Sequence, residues 1–256
     1  EEELRKFCNN KSITFYSNKA DYKEVCTEDK ARDWRYTKLH ETAHKLKDQK
    51  KLTDNIYILT GHTSSDNAET FILNLARGSN YKGLTGIPNK RLLDDNFYIV
   101  RPILHLSRAD TLNICKKLKI PIWLDPTNLD LKIKRNIVRN NILENLEKIY
   151  PGCHSRINTF IQKMNQYEKE RSDLCKLALN ACLEKNMLKR EKFNTLGLEA
   201  KSTLLNQLFK EKFPKQIKSK NIDKIAMDIT IKENGTIDLP YGTKIVWNKI
   251  FIEFKN

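Results

Sequence analysis

The sequence lacks the features that mark membrane-spanning, disulfide-rich and cysteine-ligated zinc proteins. Its 256 residues contain no run of 18 or more apolar residues, so no transmembrane helix is predicted. The six cysteines form no CxxC pair and stand at no metal-ligand spacing from a histidine, which predicts reduced thiols and no protein-bound metal. The opening EEELRKFCNN matches neither a signal peptide nor a transit peptide. These absences favour a globular protein of a reducing, cytosol-like compartment.

Acidic residues are also scarce relative to basic ones. Asp and Glu number 32 against 47 Lys and Arg, which gives a net charge of +15. A surplus of this size favours a polyanionic partner such as nucleic acid, or an anionic membrane surface. The abundance of Lys, Asn and Ile fits an AT-rich genome equally well. The two interpretations are compatible, so charge alone does not decide between them.

The first 150 residues alternate strand and helix patterns. Strands are predicted over residues 12–17, 55–62 and 96–104, and the apolar run of the second is typical of a buried parallel strand. The intervening helices are predicted at residues 27–47, from about residue 66, at 107–120 and at 132–146. This alternation predicts a parallel α/β sheet with right-handed crossovers.

Helix ends and faces can be predicted as well. Ser64, Ser65 or Asp66 is expected to cap the helix that follows residue 62, and Gly78 is expected to close it. Ser107, with an acid three residues on, predicts a capping box. Apolar residues are expected to point inward at Phe71, Ile72 and Leu75 and, in the helix over 132–146, at Ile137, Ile142 and Leu146.

The second part of the chain has a different character. After YPGC at 150–153 the pattern is helical to residue 192, and further helices are predicted over 198–212 and 219–230. GTIDLPYGTKIVWNKIFIEF then predicts a β-meander with turns at YG and NK. We therefore expect an α/β domain over residues 1–150 and a mainly helical domain with a terminal β-meander over 151–256.

GHTSSDNAET contains the first candidate site residues. It follows a predicted strand, and ligands of open α/β sheets bind outside the carboxyl ends of the strands. Asp66 and Glu69 are three residues apart and share one face of a helical turn, where two carboxylates can bind a metal ion or an amine. His62 precedes them. Acidic residues also favour helix N-termini for their own sake, which is the commoner explanation of an isolated pair.

A glycine-punctuated loop follows that helix. Three of the eight glycines fall within nine residues, in the segment RGSNYKGLTG that begins with Arg77, Gly78 and Ser79. Glycines concentrated in this way predict unusual backbone angles or a close approach to a ligand. An ordinary turn between packed elements is the alternative.

The third candidate segment is LDPTNLDLKIKRNIVRN. Asn128 lies in its turn-rich first half, and Arg135 and Arg139 are four residues apart on one helical face. Paired arginines suit the binding of phosphates or an RNA backbone. A solvated basic face is the alternative, and it is the commoner one for the arginines alone.

Taken in order, these segments form a longer pattern. ARxxRYxxL at residues 31–39 is followed by HxxxDxAET, RGSxxxGLxGI, RPIL, SRxD, DPTNxD and RNxVR. The run resembles the tRNA(Ile)-lysidine synthetases over roughly residues 1–150, and LPYGTKIVWNKIFIEF resembles that family's terminal β unit more loosely. The resemblance implies a parallel-sheet, adenine nucleotide α-hydrolase-like domain of the PP-loop ATPase kind.

The resemblance also implies a reaction. Such enzymes are ATP-dependent carbon–nitrogen ligases that adenylate the wobble cytidine of tRNA(Ile) with a CAU anticodon. The amine of free L-lysine then displaces AMP, and the resulting lysidine shifts decoding from Met to Ile codons. ATP and Mg²⁺ are the implied cofactors.

Roles for the candidate residues follow from the same resemblance. The positions of Asp66 and Glu69 correspond to carboxylates that recognise lysine, and Arg135 corresponds to a residue near the phosphates, where it stabilises charge. Asp66 and Arg135 are therefore the expected catalytic residues. The remaining candidates are expected to contact nucleotide, phosphate or tRNA: His62, Arg77, Gly78, Ser79, Asn128 and Arg139.

The chain departs from the family pattern at two places. Ser65 precedes Asp66 where the family often has two aspartates, which we interpret as tolerated. The nucleotide-binding SGGxDS loop of the family does not occur in the chain. We expect either a chain that begins inside a longer domain or a degenerate homologue that cannot bind ATP, and the opening helical pattern favours the former.

Other functions remain open on the sequence alone. A tRNA thiolase of the same superfamily is one, although the absence of CxxC argues against it. A non-catalytic RNA-binding homologue is another, although it leaves Asp66, Glu69 and Arg135 unexplained. The composition favours a plastid stroma or, alternatively, a bacterial cytoplasm. No membrane partner is expected, and a homodimer is left open.

Overall fold

The computed structural model describes residues 1–123, 125–184, 187–212, 219–239 and 242–255. The chain divides into two compact units, Glu1–Asn165 and Gln166–Asn256. The division falls inside a long helix, after the boundary that the sequence predicts at residue 150. Among the described residues, no helix combines the length and apolar character needed to cross a bilayer.

The first unit contains a small sheet surrounded by helices. Its helices are α1 (Glu2–Asn10), α2 (Glu28–Lys50), α3 (Ser64–Ala76), α4 (Arg108–Lys117), α5 (Lys134–Ile137), α6 (Glu144–Ile149) and the start of α7 (Cys153–Cys182). Its strands are β1 (Ile56–Leu59), β2 (Lys90–Asp94) and β3 (Phe97–Val100). A π-helical turn, Val138–Leu143, joins α5 to α6.

The sheet of the first unit has the order β1-β3-β2. β1 and β3 run parallel, which confirms the two strands predicted over 55–62 and 96–104 and their direction. β2 pairs antiparallel with β3 and was not predicted. The strand predicted over 12–17 is wrong: Ile13 and Tyr16 are exposed, and the segment is coil without a strand partner among the described residues. A strand without a neighbour leaves its backbone groups unpaired, so alternation alone does not create one.

β1 is also less buried than its apolar run predicts. Ile58 is buried, whereas Leu59 is 65% exposed and Tyr57 is 51% exposed. Ile58 packs with Phe97 and with other buried side chains in a small core beneath α2. The apolar run therefore predicted the strand correctly, but it did not predict that one face of the strand is exposed to solvent.

The helix predicted over 132–146 is interrupted by the π-helical turn. Ile137 and Ile142 were expected inside but are 37% and 40% exposed, whereas Val138 and Leu143 are buried. A π-turn holds one extra residue, so it rotates the faces of the helix relative to a regular 3.6-residue period. The period used for the prediction was therefore wrong at this point.

The second unit combines helices with an antiparallel sheet. It contains the end of α7, α8 (Arg190–Asn194), α9 (Leu198–Lys212) and α10 (Ser219–Ile231). Its strands are β4 (Leu183–Glu184), β5 (Met187–Lys189), β6 (Gly235–Asp238), β7 (Lys244–Trp247) and β8 (Phe251–Lys255), in the order β4-β5-β8-β7-β6.

The predicted meander is confirmed as β6-β7-β8, with consecutive antiparallel pairs. The NK turn joins β7 to β8, and Tyr241 of the YG turn lies outside the described residues. The continuous helix predicted to residue 192 is wrong, because α7 ends at Cys182 and a short hairpin follows. Leu188 of this hairpin pairs with Ile252 of β8 and is buried, so long-range sheet pairing outweighed the local helical pattern.

Candidate active site

The candidate site lies where β1 ends and α3 begins. Thr63, not one of the three predicted residues, is the N-cap of α3. Its backbone N–H and Oγ1 both donate to Asp66 Oδ2, at 2.8 and 2.7 Å, and its hydroxyl faces the backbone N–H of Asp66 in return. This capping box holds the Asp66 carboxylate in one orientation, with Oδ1 left to face other groups.

Glu69 lies one turn further along α3 and is almost completely buried, with 1% of its side chain exposed. Arg135 Nε donates to Oε2 at 2.6 Å, and Arg139 Nε donates to Oε1 at 2.7 Å. Arg139 Nη2 makes a further bond to Oε2 at 3.1 Å. Both carboxylate oxygens are thus engaged by guanidinium groups, an arrangement that suits a buried acid because burial of an unpaired charge is costly.

Asp66 joins the same cluster. Its Oδ1 lies 3.2 Å from Nη2 of Arg135 and 3.6 Å from Nη2 of Arg108. Arg108 also lies 3.5 Å from Glu69. Two carboxylates and three guanidinium groups are therefore in contact, with an excess of one positive charge. The side chains of Arg135 and Arg139 are only 20% and 19% exposed. The alternative prediction for these arginines, a solvated basic helix face, is therefore wrong.

The protonation states in this cluster follow from its geometry. Burial opposes ionisation of Asp66, but the hydrogen bonds from Thr63 and the charges of Arg135 and Arg108 outweigh it and lower the pKa of that carboxyl. Burial, helped by the charge of Arg101, lowers the pKa of His62. At neutral pH, Asp66 is therefore an anion and His62 a neutral imidazole that can accept a hydrogen bond.

A cavity of about 320 Å³ opens beside Asp66. One wall consists of residues at the end of β1 and the start of α3, together with α5: Thr60, Gly61, His62, Asp66 and Arg135. The other wall comes from α2: Glu28, Arg32, Arg35, Tyr36 and Leu39. Its size falls at the lower end of the range for small-molecule sites. Acids and arginines face the same space, so the cavity suits a ligand with both cationic and anionic groups.

Several residues of the candidate site belong to the sequence motifs but are not among the predicted site residues. Arg32, Arg35 and Tyr36 of the ARxxRYxxL motif line the cavity, although the sequence alone assigns them no role. Arg108 of the SRxD motif contacts both carboxylates, and the sequence alone likewise assigns it no role. Membership of a motif is therefore the sequence feature that could have indicated these four residues.

The other predicted site residues are placed differently. Asn128 Oδ1 accepts a hydrogen bond from Arg139 Nη1 at 3.0 Å, so it joins the cluster. Arg77, Gly78 and Ser79 lie beyond the opposite end of α3, roughly 16 Å along the helix from Asp66. Gly78 has a φ of 71° and closes the helix as predicted. The structure does not bring these three residues to the cavity.

The glycine-punctuated loop packs against α3 at Gly86. This residue has a φ of 70°, and a Cβ there would overlap the side chain of Asn67. Asn67 Oδ1 accepts from the backbone N–H of Ile87 at 2.7 Å, and its Nδ2 donates to Asn158 at 3.0 Å. Asn158 in turn donates to the carbonyl of Ser64 at 2.9 Å. The loop and the start of α7 therefore buttress the first turn of α3, where Asp66 stands.

Comparison with known proteins agrees with these motifs. The family model of the PP-loop domain matches residues 1–146. The tRNA(Ile)-lysidine synthase of Prochlorococcus marinus subsp. pastoris (strain CCMP1986 / NIES-2087 / MED4) is 50% identical over 99% of this chain and 75% of its own length. The chain belongs to the tRNA(Ile)-lysidine synthase family.

The lysidine synthase family match extends to a plastid protein. The tRNA(Ile)-lysidine synthase, chloroplastic, of Gracilaria tenuistipitata var. liui is 32% identical over 62% of this chain and 56% of its own length. The solved structure of the U34-tRNA thiolase NcsA from Methanococcus maripaludis with its 4Fe-4S cluster is 18% identical, with a TM-score of 0.45, and covers 64% of this chain and 55% of that chain. A TM-score this low supports no conclusion.

Membership of the lysidine synthase family confirms the family and the PP-loop fold that the motif run predicted. The residue roles stay predictions. The family motifs HxxxDxAET and RNxVR nonetheless meet in space, because Glu69 of the first is paired with Arg135 and Arg139 of the second.

Proposed function

We propose that the chain belongs to an ATP-dependent ligase that attaches lysine to the wobble cytidine of tRNA(Ile) with a CAU anticodon. Family membership supports the reaction class. The observation that carries the site assignment is that Asp66 and Arg135 lie 3.2 Å apart on one cavity wall. A carboxylate can hold an amine and a guanidinium can hold a phosphate, and the reaction needs both at one place.

Transfer of the adenylyl group of ATP would activate the cytidine and release pyrophosphate, and attack by the lysine amine would then release AMP. In this proposal Arg135 stabilises the negative charge of the phosphates, together with Arg32 and Arg35 on the opposite wall. The ionised Asp66 orients the ammonium group of lysine. His62, which is neutral at pH 7, is placed to accept a hydrogen bond from the substrate.

Glu69 requires a more specific proposal than Asp66 does. Its oxygens are occupied by Arg135 and Arg139, so a lysine ammonium group would have to replace one guanidinium group to reach it. We place Asp66 in direct contact with lysine. Glu69 takes part by holding the two arginines, and through them Asp66, in position. Direct lysine binding by Glu69 stays a prediction that the experiment below tests.

The net positive charge of the chain supports the proposal that it binds tRNA. The excess of basic residues gives a net charge of +15, which favours tRNA binding through phosphate contacts. Mg²⁺ is expected with ATP. Because Asp66 is already engaged by Thr63 and Arg135, the site suits an ion held through ATP phosphates better than one held in a protein cage.

The compartment and the assembly belong to the proposal as well. The relatives come from Prochlorococcus marinus and from a chloroplast, so a plastid stroma and a bacterial cytoplasm are the two compartments proposed. A homodimer stays a prediction that light scattering of the purified protein would measure directly.

The function is tested with the full-length gene product, Mg-ATP, radiolabelled lysine and a tRNA(Ile) transcript with a CAU anticodon. We expect ATP-dependent incorporation of lysine at the wobble cytidine. Incorporation of sulfur, in a parallel reaction that contains a sulfur donor in place of lysine, would support a thiolase. Binding of tRNA without any modification would support a non-catalytic homologue. Either result would overturn the ligase proposal.

Variants then test the site. Asp66→Asn should raise the KM for lysine about 10- to 150-fold, because a charged hydrogen bond contributes about 1.5–3 kcal/mol. Asp95→Asn, an exposed carboxylate of the same unit, is the matched control and should leave KM unchanged. An unaltered lysine KM in Asp66→Asn would refute the lysine assignment.

Glu69→Ala separates its two candidate roles. It should weaken the use of lysine more than the binding of tRNA. If Glu69 acts through the arginines, kcat should fall together with the rise in KM, whereas direct contact with lysine predicts a change confined to lysine KM. An unchanged affinity for lysine would show that Glu69 has neither role.

A further inference from the structure

A second cluster of polar groups lies on α2, apart from the cavity residues. His40 and His44 are four residues apart, so they share one face of the helix, and their Nε2 atoms are 2.9 Å apart. Asp94, the last residue of β2, faces them. Its Oδ2 lies 3.6 Å from His40 Nε2 and 3.9 Å from His44 Nε2. Three potential ligand atoms from two different elements thus converge on one point.

The geometry of this triad matches a metal ion. A tetrahedral Zn²⁺ ion with bonds of about 2.0–2.2 Å to imidazole nitrogen and carboxylate oxygen separates its ligand atoms by about 3.3–3.6 Å. The three separations here are 2.9, 3.6 and 3.9 Å. The three atoms therefore need little movement to bind one ion. Imidazole and carboxylate are also ligand types that Zn²⁺ accepts.

The fold holds the triad in place from two sides. Both imidazoles pack on the ring of Phe97 in β3, with centroid distances of 5.2 Å for His40 and 4.1 Å for His44. Asp94 stands at a register shift in the β2–β3 pairing, next to a turn in which Asn96 has a φ of 63°. A register shift changes the direction in which a side chain points from the sheet. Here the redirected carboxylate is the one that meets the histidines.

We propose that His40, His44 and Asp94 bind Zn²⁺, with the fourth tetrahedral position open to water or to a further ligand. The ion joins α2 to the β2–β3 hairpin above a core of few buried side chains: Ala43, Ile58, Phe97 and Ile99. A metal is an effective cross-link where apolar burial is small. Because α2 also carries Arg32 and Arg35, the ion fixes one wall of the cavity.

The prediction of no protein-bound metal rests on the cysteines and not on this histidine pair. A histidine pair at i and i+4 on a helix is by itself a weak signal. The deciding ligand, Asp94, lies 50 residues from His44 along the chain and becomes a neighbour only through the packing of α2 on the sheet.

The experiment measures Zn²⁺ binding by the full-length gene product after removal of metals with a chelator. Competition with a chromophoric chelator gives stoichiometry and affinity, and Co²⁺ substitution gives the visible absorption of a tetrahedral site. We expect His40→Gln and Asp94→Asn each to remove one bound ion per chain and to abolish the Co²⁺ spectrum. Added Zn²⁺ should raise the Tm of the wild type but not of these variants.

Matched controls are available in the same unit. His105→Gln removes an exposed histidine and Asp95→Asn removes the carboxylate next to Asp94, and both should retain the ion. Circular dichroism establishes that each variant is folded. Unchanged zinc stoichiometry and affinity in both ligand variants would overturn the proposal. So would a wild-type protein that gives no tetrahedral Co²⁺ spectrum.

Discussion

The two units of this chain use their interiors differently. The second unit has one continuous core of sixteen described residues, among them Phe193, Leu205 and Ile245, none of which is exposed. Among its described residues, the first unit has two smaller clusters, of four and three buried side chains, and part of its interior is occupied by Glu69 and the arginines paired with it. Apolar burial therefore stabilises the second unit. In the first unit, part of the interior is occupied by the paired charges of the candidate site.

Arginines show the same contrast. Arg190 of the second unit is buried and donates to the backbone carbonyls of Ile229 and Lys232, at the end of α10, and of Asn248. These partners are neutral and satisfy a helix end. Arg135 of the first unit binds a carboxylate and borders a cavity. The partner therefore distinguishes Arg190, which binds neutral backbone carbonyls, from Arg135, for which we propose a contact with phosphate.

The largest expected effect is on the apolar core. Phe193→Ala should lower the free energy of unfolding of the second unit by about 3–5 kcal/mol, because it removes a fully buried ring and leaves a cavity. Leu174→Ala, at a position 66% exposed on α7, should change it by less than about 0.5 kcal/mol. Urea unfolding measures both. Equal effects would contradict the view that this unit depends on its core.

The next largest effect concerns the buried acid of the first unit. Glu69→Gln should cost about 2–3 kcal/mol, less than a fully buried ion pair because its arginines remain partly exposed. Glu41→Gln, which removes an exposed acid on α2, should cost less than about 1 kcal/mol. The comparison uses urea unfolding of the same protein. A Glu69→Gln variant as stable as the control would show that the cluster does not hold the unit together.

A smaller effect depends on pH. Asp66 has a lowered pKa in the folded protein, so its contribution to stability is present above the ordinary Asp value of 3.8 and is lost as the pH falls through the folded value. Asp66→Asn should therefore flatten the acid limb of the stability curve of the first unit, whereas Asp95→Asn should not. Thermal unfolding between neutral and strongly acidic pH measures this. A parallel decline in wild type and Asp66→Asn would contradict the coupling.

The smallest effect is a titration. His62 should titrate below the ordinary histidine value of 6.5, because burial and the charge of Arg101 oppose its protonation. Asp66→Asn should lower the pKa further, since Asp66 is the nearby charge that favours the imidazolium. NMR titration, assigned with a His62→Gln variant, follows the shift. An upward shift in Asp66→Asn would contradict the charge arrangement described for the cavity.

Several features of the fold could be predicted because they depend on neighbours in sequence. The capping box at Ser107 and Asp110, the positive φ of Gly78 and the terminal meander all rest on local hydrogen bonds or on a two-residue period. The placement of Asp66 and Glu69 on one face of α3 follows from helical spacing. The family of the chain could also be predicted, from the order of its motifs. For the capping box, the glycine, the meander and the two carboxylates, the deciding interaction spans only a few residues.

Other features appeared only in the tertiary structure, because partners distant in sequence decide them. The π-helical turn carries Arg139 toward Glu69, 70 residues away, and a regular period would not predict it. The hairpin that ends the predicted helix forms because β5 pairs with β8. The meeting of His40 and His44 with Asp94 depends on the packing of α2 on the sheet. By itself, then, the sequence determined the family, the parallel strands β1 and β3, the terminal meander and the chemical types of the site residues. Tertiary packing decided which charges are paired, because the cost of burying a charge is met only by a partner brought from elsewhere in the chain.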